Sequence, residues 1–169
     1  MVVVSDASPL IILSKLGRLS LLTSLHDRVL VPQAVYKEAV VAGLREGYAD
    51  AIAVDHLVRL GRITVQDVDP PTQDQEWAST IDQGEAEVLV LARHVGADFA
   101  LIHNAHAHRA ARTLDIPLRG TVGILLEATA KKHLTLPEFK LLIQEIKGRP
   151  EFWISEQLCD AALEKVQRV

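Results

Sequence analysis

The chain has 169 residues, which suits one domain, and its 49% hydrophobic and 24% charged residues are ordinary for a globular protein. A formal net charge of −4 argues against broad electrostatic binding of nucleic acid, and 4% aromatic residues argue against a base-stacking platform. No apolar run reaches the ~20 residues of a membrane helix, and the start lacks the basic leader of a signal peptide. With a single cysteine, which excludes an internal disulfide, these features predict a cytoplasmic protein without membrane contact.

Short apolar strands alternate with helices along the chain. Strands are predicted at residues 2–4, 28–31, 62–68, 97–102 and 116–121. Helices are predicted at about residues 9–16, 18–25, 32–42, 50–60, 84–95, 105–114 and 155–167, and another opens at Pro137. Ser8 is predicted as the N-cap of the first helix, with Pro9 at its first position and Gly17 past its end. Gly43 and Gly96 are predicted to end two later helices.

This alternation predicts an α/β fold, a three-layer α/β/α domain with a central, mainly parallel sheet of about five short strands. We expect a single domain over residues 1–169, with C-terminal helices at about 137–169 packing on it or extending it. The stretch 67–75 is too short to separate domains and is predicted as a loop. Ligand sites in such folds lie beyond the carboxyl ends of the strands, so polar residues there are the candidates for function.

Acidic residues follow the first two predicted strands. Asp6 comes directly after the first strand, where either it or Ser8 could instead serve only to cap the first helix. Glu38 lies beside the buried stripe of the helix that follows the second strand, and the sequence alone favours a solvated surface residue there. Each acid alone is therefore compatible with a purely structural role.

A further group of acids, Asp82, Glu85 and Glu87, surrounds the start of a later helix. Acids are favoured there by the helix dipole whatever their function. Residues 85 and 87 diverge by roughly 200° around a helix, so we expect Glu85 to face a site and Glu87 to point away. Three carboxylates converging at one edge of the sheet repel one another, and a divalent cation is the usual remedy; Mg²⁺ prefers such oxygen ligands.

Several stretches of the chain together carry a resemblance to a known family. In order, they are VVVSDASPLIILSKLGRLSLL, VLVPQAVYKEAV, DQGEAEVLVLA, ADFALI, RAAR, IPLRGTVGILLEA and FWISEQL. The chain resembles the PIN-domain superfamily, and most closely its bacterial and archaeal VapC-like branch. The match extends over nearly the whole chain, and SDASPL and GEAE are its most specific parts.

The resemblance implies a small α/β domain with a central parallel sheet. It also implies a ribonuclease that depends on Mg²⁺ or Mn²⁺, often the toxin of a toxin–antitoxin pair and often a homodimer. The family's first three acids correspond to Asp6, Glu38 and Glu85, which are implied to be catalytic and to hold the metal. That metal activates a water molecule and steadies charge on the RNA phosphate.

The position after the fourth strand departs from the family's pattern, because His103 and Asn104 stand where one or two acids are usual. The site could be degraded, since neutral groups weaken Mg²⁺ binding. It could instead be retuned, with the amide oxygen and the imidazole nitrogen completing the shell of Mn²⁺ or another transition ion. A separate metal site with His106 and His108 is a third reading, but their spacing matches no metal motif and a solvated helix face explains them.

Four further residues are candidates for substrate binding: Ser8, Lys15, Arg109 and Arg112. The planar guanidinium of arginine fits phosphate well, and Lys15 could act similarly from the end of the first helix. The simpler explanations are ordinary surface charge for the arginines and complementation of the helix dipole for the lysine.

The leading interpretation is a PIN-like, metal-dependent endoribonuclease whose fourth acidic position is altered. The rival interpretation is a catalytically silent PIN-like module that binds RNA or a protein partner. The two neutral residues at 103 and 104 favour the rival, and the three retained acids favour the enzyme. A flavodoxin-like phosphate-handling protein is a third idea, but no glycine-rich phosphate loop follows the first strand.

Overall fold

The structure is a computed structural model that describes residues 1–72 and 76–167. The chain forms two compact units, Met1–Arg119 and Gly120–Val169. Part of the predicted loop, residues 73–75, lies outside the described residues, as do the last two residues of the chain. The remaining loop residues, 67–72, carry no helix or strand. The expectation of a single domain over residues 1–169 stays a prediction.

The larger unit is built on a parallel sheet. Its strands are β1 (Val2–Ser5), β2 (Arg28–Pro32), β3 (Ile63–Gln66), β4 (Phe99–Leu101) and β5 (Leu118–Arg119). Among the described residues these five strands form one sheet in the order β3-β2-β1-β4-β5, and every pairing is parallel. Val4 of β1 pairs with Leu30 on one side and with Ala100 on the other. The predicted α/β fold with about five short strands is confirmed.

Helices fill the connections between the strands. In the larger unit they are α1 (Ala7–Lys15), α2 (Ser20–Leu25), α3 (Gln33–Tyr36), α4 (Gly43–Arg45), α5 (Ala49–Arg59), α6 (Gln83–Val95) and α7 (Ala105–Thr113). A π-helical segment, Lys37–Ala42, joins α3 to α4, so that one continuous helix follows β2. A short 3₁₀ helix, Glu76–Thr80, precedes α6.

The direction of the chain across the sheet reverses between β3 and β4, and β1 lies at the reversal. From β1 the chain steps outward to β2 and β3, and it then returns to β4 on the other side of β1. Because parallel crossovers are right-handed, the helices after β1 and β4 leave toward opposite faces of the sheet. The carboxyl ends of β1 and β4 therefore border a crevice, which is where ligands bind in sheets of this kind.

The core explains why these segments form strands and helices. Val3 and Val4 of β1 are fully buried, as are the apolar residues of its two neighbours, because a central parallel strand is covered on both faces. In α6, the run Val88–Leu89 and Leu91 is likewise fully buried. This packing fixes the start of α6, with Asp82 and Glu85, at the edge of the sheet where β1 and β4 end.

The smaller unit is helical in its described part. It contains α8 (Thr121–Ala130), α9 (Leu136–Lys147), the 3₁₀ turn Pro150–Phe152 and α10 (Glu156–Gln167). Thr135 and Glu138 form a capping box at the start of α9, with Pro137 in its first turn as predicted. None of the helices in the described ranges combines the length and hydropathy that crossing a membrane requires.

Two predicted helix boundaries are wrong. The first helix begins at Ala7, with Asp6 rather than Ser8 at the N-cap position, and Pro9 is its third residue. The chain is already extended at Asp6 and turns into the helix immediately, so no residue remains for a later cap. The helix after β2 continues past Gly43 to Arg45, because this glycine accommodates α5 rather than ending the helix.

Candidate functional site

Asp6 lies at the carboxyl end of β1, where the chain turns into α1. Its N–H donates to the Leu101 carbonyl of β4 at 2.9 Å, which keeps its backbone in register with the sheet. The side chain is buried, with 6% of the residue exposed. Although Asp6 occupies the N-cap position of α1, its carboxylate accepts no capping hydrogen bond. The N–H of Ala7, the first residue of α1, still acts on this carboxylate and lowers its pKa, so the helix start interacts with the acid without forming a capping hydrogen bond.

The start of α6 brings two more acids to the same edge of the sheet. Asp82 and Glu85 form a capping box, in which Asp82 Oδ1 accepts the Glu85 N–H at 2.9 Å. Glu85 Oε2 in turn accepts the Asp82 N–H at 3.4 Å. Glu85 is buried, whereas Asp82 is exposed. The capping box fixes both side chains relative to the first turn of α6.

Glu38 approaches this group from the π-helical segment. Helices of this kind are rare, and they occur frequently at functional sites. A Cβ atom added to Gly84 would lie 3.5 Å from Glu38 Oε2 and 3.5 Å from Asp82 Oδ1, so the two oxygens are within twice that distance of each other. The absence of a side chain at Gly84 leaves room for both carboxylates. The charges of Glu38, Glu85 and Asp82 all act on Asp6, so these four acids lie in one region.

Asn104 connects the end of β4 to the acids of α6. It is the N-cap of α7, and its Oδ1 accepts the His106 N–H at 2.9 Å. Its Nδ2 donates to Glu85 Oε2 at 3.0 Å. The amide oxygen is therefore engaged in helix capping, and the amide nitrogen holds the glutamate. An amide suits both roles, because a carboxylate at this position could accept the helix N–H but could not donate to Glu85.

The electrostatics of Asp6 reflect the crowding of acids. Burial raises its pKa from 3.8 to about 7, and the negative charges of Glu38, Glu85 and Asp82 add to the rise, while the Ala7 N–H acts in the opposite direction. The desolvated carboxylate is therefore costly to ionise at neutral pH unless a positive charge accompanies it.

The two glutamates show the same effect. Glu38 is exposed as a residue, but partial desolvation of its carboxylate raises its pKa, and the charge of Asp82 raises it further. Burial and the charge of Asp82 also raise the pKa of Glu85, whereas the hydrogen bond from Asn104 lowers it. Asp82 thus acts electrostatically on each of the three acids that the sequence singled out.

His103 directly precedes Asn104 in the chain and carries no charge at neutral pH. Its burial lowers its pKa from 6.5 to about 4, so the imidazole is neutral over the physiological range. His106 and His108 are exposed on α7, which agrees with the solvated helix face expected for them.

The candidate substrate-binding residues are distributed more widely. Ser8 is exposed in the first turn of α1, close to Asp6 along the chain. Lys15 is the last residue of the same helix, which places it a full helix length from Asp6. Arg109 and Arg112 are exposed on α7, beyond the cap at Asn104. The fold therefore brings Ser8 close to the acids and does not bring Lys15 there.

Glu87, two positions after Glu85, is buried and has hydrogen-bond partners of its own. Its Oε2 accepts the Ala34 N–H at 3.2 Å, and its Oε1 accepts from Gln83 Nε2 at 2.8 Å. Glu87 therefore caps the first turn of α3, the helix that continues into the segment carrying Glu38. The sequence alone gives no signal for this contact, because its partner is a backbone group 53 residues away.

The donor atoms suit a hard divalent cation in their chemistry. Carboxylate oxygens are the ligands that Mg²⁺ and Mn²⁺ prefer, and the mutual repulsion of these acids would be relieved by a cation. However, across residues 1–72 and 76–167, no three His, Cys, Asp or Glu residues are arranged so that they could hold a metal ion. Metal binding would therefore require the carboxylates to move closer together than they lie here.

Comparison with known proteins gives one positive finding. The model of the family DUF3368, described as a PIN domain, matches residues 2–168, nearly the whole chain. The comparison with curated proteins gives no match.

Proposed function

We propose a function from one premise: the chain belongs to the PIN-domain family DUF3368. PIN domains are generally metal-dependent nucleases, and nuclease-type chemistry is therefore the starting point. We propose specifically that the protein hydrolyses phosphodiester bonds in RNA, with Mg²⁺ or Mn²⁺ as cofactor. The resemblance of the sequence to PIN domains is confirmed, whereas its placement in the VapC-like branch stays a prediction.

The observation that carries the proposal is the state of Asp6. This carboxylate is buried at the end of a central strand, is not used to cap its helix, and experiences the negative charge of acids on other elements. Such an arrangement costs stability, because an acid that only supported the fold would be better replaced by a neutral side chain. A buried carboxylate surrounded by other acids is the arrangement expected of a residue that binds a cation.

We assign Asp6, Glu38 and Glu85 as the residues that would hold the metal. When bound, a divalent cation supplies Lewis-acid activation of water and offsets charge on the phosphate. The protein's own contribution is to position the three carboxylates at the crevice and to hold Glu85 in place through Asn104. His103 stays a predicted ligand, since a neutral imidazole accepts Mn²⁺ more readily than Mg²⁺.

The finer details of the function are proposals as well. Ser8, Arg109 and Arg112 would contact RNA phosphates near the crevice, with Lys15 at most a peripheral contact. We also propose that the protein acts in the cytoplasm as a homodimer and that it is the toxin of a toxin–antitoxin pair, with an antitoxin protein as its partner.

One specific observation favours a second candidate function. Both polar atoms of the Asn104 side chain already have partners, and no ready metal group exists among the described residues. A PIN-like module of this kind could have lost catalysis and retained the binding of RNA or a protein partner. The experiment below separates the two candidates.

The first test is cleavage of a labelled RNA of mixed structure by the purified protein in Mn²⁺, Mg²⁺ or EDTA. The Asp6→Asn variant, purified identically, removes the central charge, and Asp115→Asn removes an exposed acid beyond the end of α7. We expect cleavage in Mn²⁺ by the wild type and by Asp115→Asn, and none by Asp6→Asn or in EDTA.

Equal cleavage by the wild type and Asp6→Asn would point to a contaminating nuclease and would remove support for the enzyme. No cleavage by any of the three proteins would favour the silent module, provided that a known PIN nuclease cuts the same RNA in the same buffers.

A further inference from the structure

We propose that the cavity between α6, the end of α7 and the 3₁₀ helix Glu76–Thr80 binds one unpaired nucleobase of an RNA strand, stacked on Trp77, with a phosphate of the same strand beside Arg93. The inference rests on the proposed action on RNA and names the class of substrate, since only a single-stranded segment can place a base in a cavity. It gives the protein a second contact with RNA at a distance from the acids.

The size and lining of the cavity suit a nucleotide. Its volume is about 490 Å³, within the usual range for sites that bind small molecules. The lining combines aromatic, aliphatic and basic side chains, namely Trp77, Val90, Arg93, His94 and Leu114. A flat ring beside aliphatic walls can hold the face of a base, and a guanidinium group fits the phosphate that follows it in the strand.

Trp77 supplies the aromatic surface of the cavity. It is half-buried on the 3₁₀ helix, which packs against α7. In the part of the chain that the structure describes, no group accepts a hydrogen bond from its indole N–H, so this donor is available to a ligand. One aromatic residue provides a single stacking site, whereas a base-stacking platform, against which the composition argues, uses several.

Arg93 and His94 place basic groups at the cavity. Both are exposed in the last turn of α6, and neither forms an ion pair within the described residues. The helix dipole favours basic residues at this end of α6, but it does not account for the cavity with an aromatic wall beside them. A second cavity of about 310 Å³ shares Val90 and His94 and is lined by Asp67 and Asp69. Because those acids repel phosphate, the phosphate is expected at Arg93, which lines the first cavity.

Helix α7 extends from the acids to this cavity. Its N-cap, Asn104, donates to Glu85, and its C-cap, Leu114, lines the cavity. At 1.5 Å per residue the two caps lie about 15 Å apart, a distance that a few nucleotides of single strand can span. The helix contains no acid, and its exposed side chains include His106, His108, Arg109 and Arg112. A phosphate backbone that runs from the crevice to the cavity therefore meets basic groups on its way.

RNA fits this surface better than an acidic protein segment does. A peptide could satisfy the basic residues of α7, but stacking on an indole requires a flat ring, which every nucleobase presents. The formal net charge of the chain is −4, so the basic surface is local. Duplex RNA is not expected in the cavity, because its bases are already stacked and paired.

The first test measures binding without cleavage, by the fluorescence anisotropy of a short labelled single-stranded RNA in EDTA. Trp77→Ala should bind at least about fivefold more weakly, because it removes one base–aromatic stack, and Trp77→Phe should lose less. Arg93→Gln should reduce the slope of log affinity against log salt by about 0.7, the value for one phosphate contact with a single strand. Arg45→Gln removes an exposed arginine from the last turn of α4, and as the matched control it should bind as the wild type does.

The fluorescence of Trp77 provides a readout that a purely structural role would not move. Trp153 is the other tryptophan of the chain and is 91% exposed, so Trp153→Phe leaves Trp77 as the only indole. We expect single-stranded RNA to quench the fluorescence of this variant, because a stacked base contacts the ring. Duplex RNA of the same sequence should not quench it, and neither should a short glutamate peptide, which carries negative charge but no base.

Several results would overturn the inference. Quenching by the glutamate peptide but not by RNA would indicate an acidic protein partner instead. Weaker binding by Trp77→Ala without any quenching of Trp77 by RNA would reduce Trp77 to a residue that supports the fold. Absence of RNA binding by the wild type would also refute the assignment of the cavity.

The same measurements separate this inference from the proposed function. If RNA binds equally to the wild type, Trp77→Ala and Arg93→Gln, the role of the cavity is refuted and hydrolysis is decided by the cleavage test alone. If both variants bind RNA more weakly and RNA quenches Trp77, but no RNA is cleaved in Mn²⁺, the cavity is confirmed and the proposed hydrolysis fails.

Discussion

The Asp6→Asn substitution should stabilise the metal-free protein at neutral and alkaline pH. In the folded protein the pKa of Asp6 is raised to about 7, chiefly by burial, whereas its ordinary value is 3.8. Between these two values the folded state holds a proton that the unfolded state has released. Stability therefore falls as pH rises through this window, because the folded state binds more protons than the unfolded state.

The size of the effect follows from the width of the window. Each pH unit within it changes the free energy of unfolding by about 1.4 kcal/mol for one proton, and the window spans roughly three units. The ionised Asp6 side chain thus costs the metal-free fold about 4 kcal/mol above pH 7, a large fraction of the stability of a typical domain. Asparagine resembles the protonated acid in shape and polarity, so the variant avoids this cost.

The assay is urea unfolding of the wild type and Asp6→Asn in EDTA at pH values from 4.5 to 8. The gain of the variant should be small near pH 4.5, grow through the window and level off at about 4 kcal/mol above pH 7. Titrating groups remote from Asp6 affect both proteins equally, and the Asp115→Asn variant reports any general effect of losing an acid. A variant that gains nothing at pH 8, or gains equally at every pH, would refute the burial argument.

Three further substitutions test other parts of the structure. Glu87→Ala should lower the free energy of unfolding by about 1–3 kcal/mol in urea titrations, because it orphans the Ala34 N–H, and Glu87→Gln should lose less; equal stability of all three proteins would contradict this. Gly43→Ala should cost about 1–3 kcal/mol in the same assay, since its Cβ would lie 2.6 Å from Ala51 Cβ, and an unchanged denaturation midpoint would show that the two helices can separate freely. Asn104→Asp should lower the Tm in EDTA and enlarge the rise in Tm caused by Mn²⁺; a smaller rise would show that the amide serves the metal better than a carboxylate.

Local sequence signals were sufficient for the framework of the fold. The valine run at residues 2–4 forms β1, and the glycines after α1 and α6 adopt the left-handed conformation that ends those helices, with φ of 64° at Gly17 and 61° at Gly96. These features depend on residues close together in the sequence. The general rule that ligand sites lie at the carboxyl ends of parallel strands was also sufficient to predict that Asp6, Glu38 and Glu85 share one edge of the sheet.

Features that depend on tertiary contacts were not predictable. The sequence predicted that Gly43 ends a helix. In the structure the position requires a residue without a side chain, because Ala51 of α5 packs directly against it. The π-helical geometry around Glu38 has no periodic signature in a single sequence. Asp82 was noticed only as one of several acids at a helix start, because its distance to Glu38 depends on how two helices pack.

The contacts of Asn104 bear on whether the neutral residue at position 104 indicates a site without activity. Asn104 donates to the Glu85 carboxylate and caps α7 at the same time, so this amide has a structural role of its own beside the acids. Its hydrogen bond lowers the pKa of Glu85 and so favours the ionised form that a cation would need. On this argument the substitution at 104 alters how the site is held together, and it does not by itself imply that catalysis is lost.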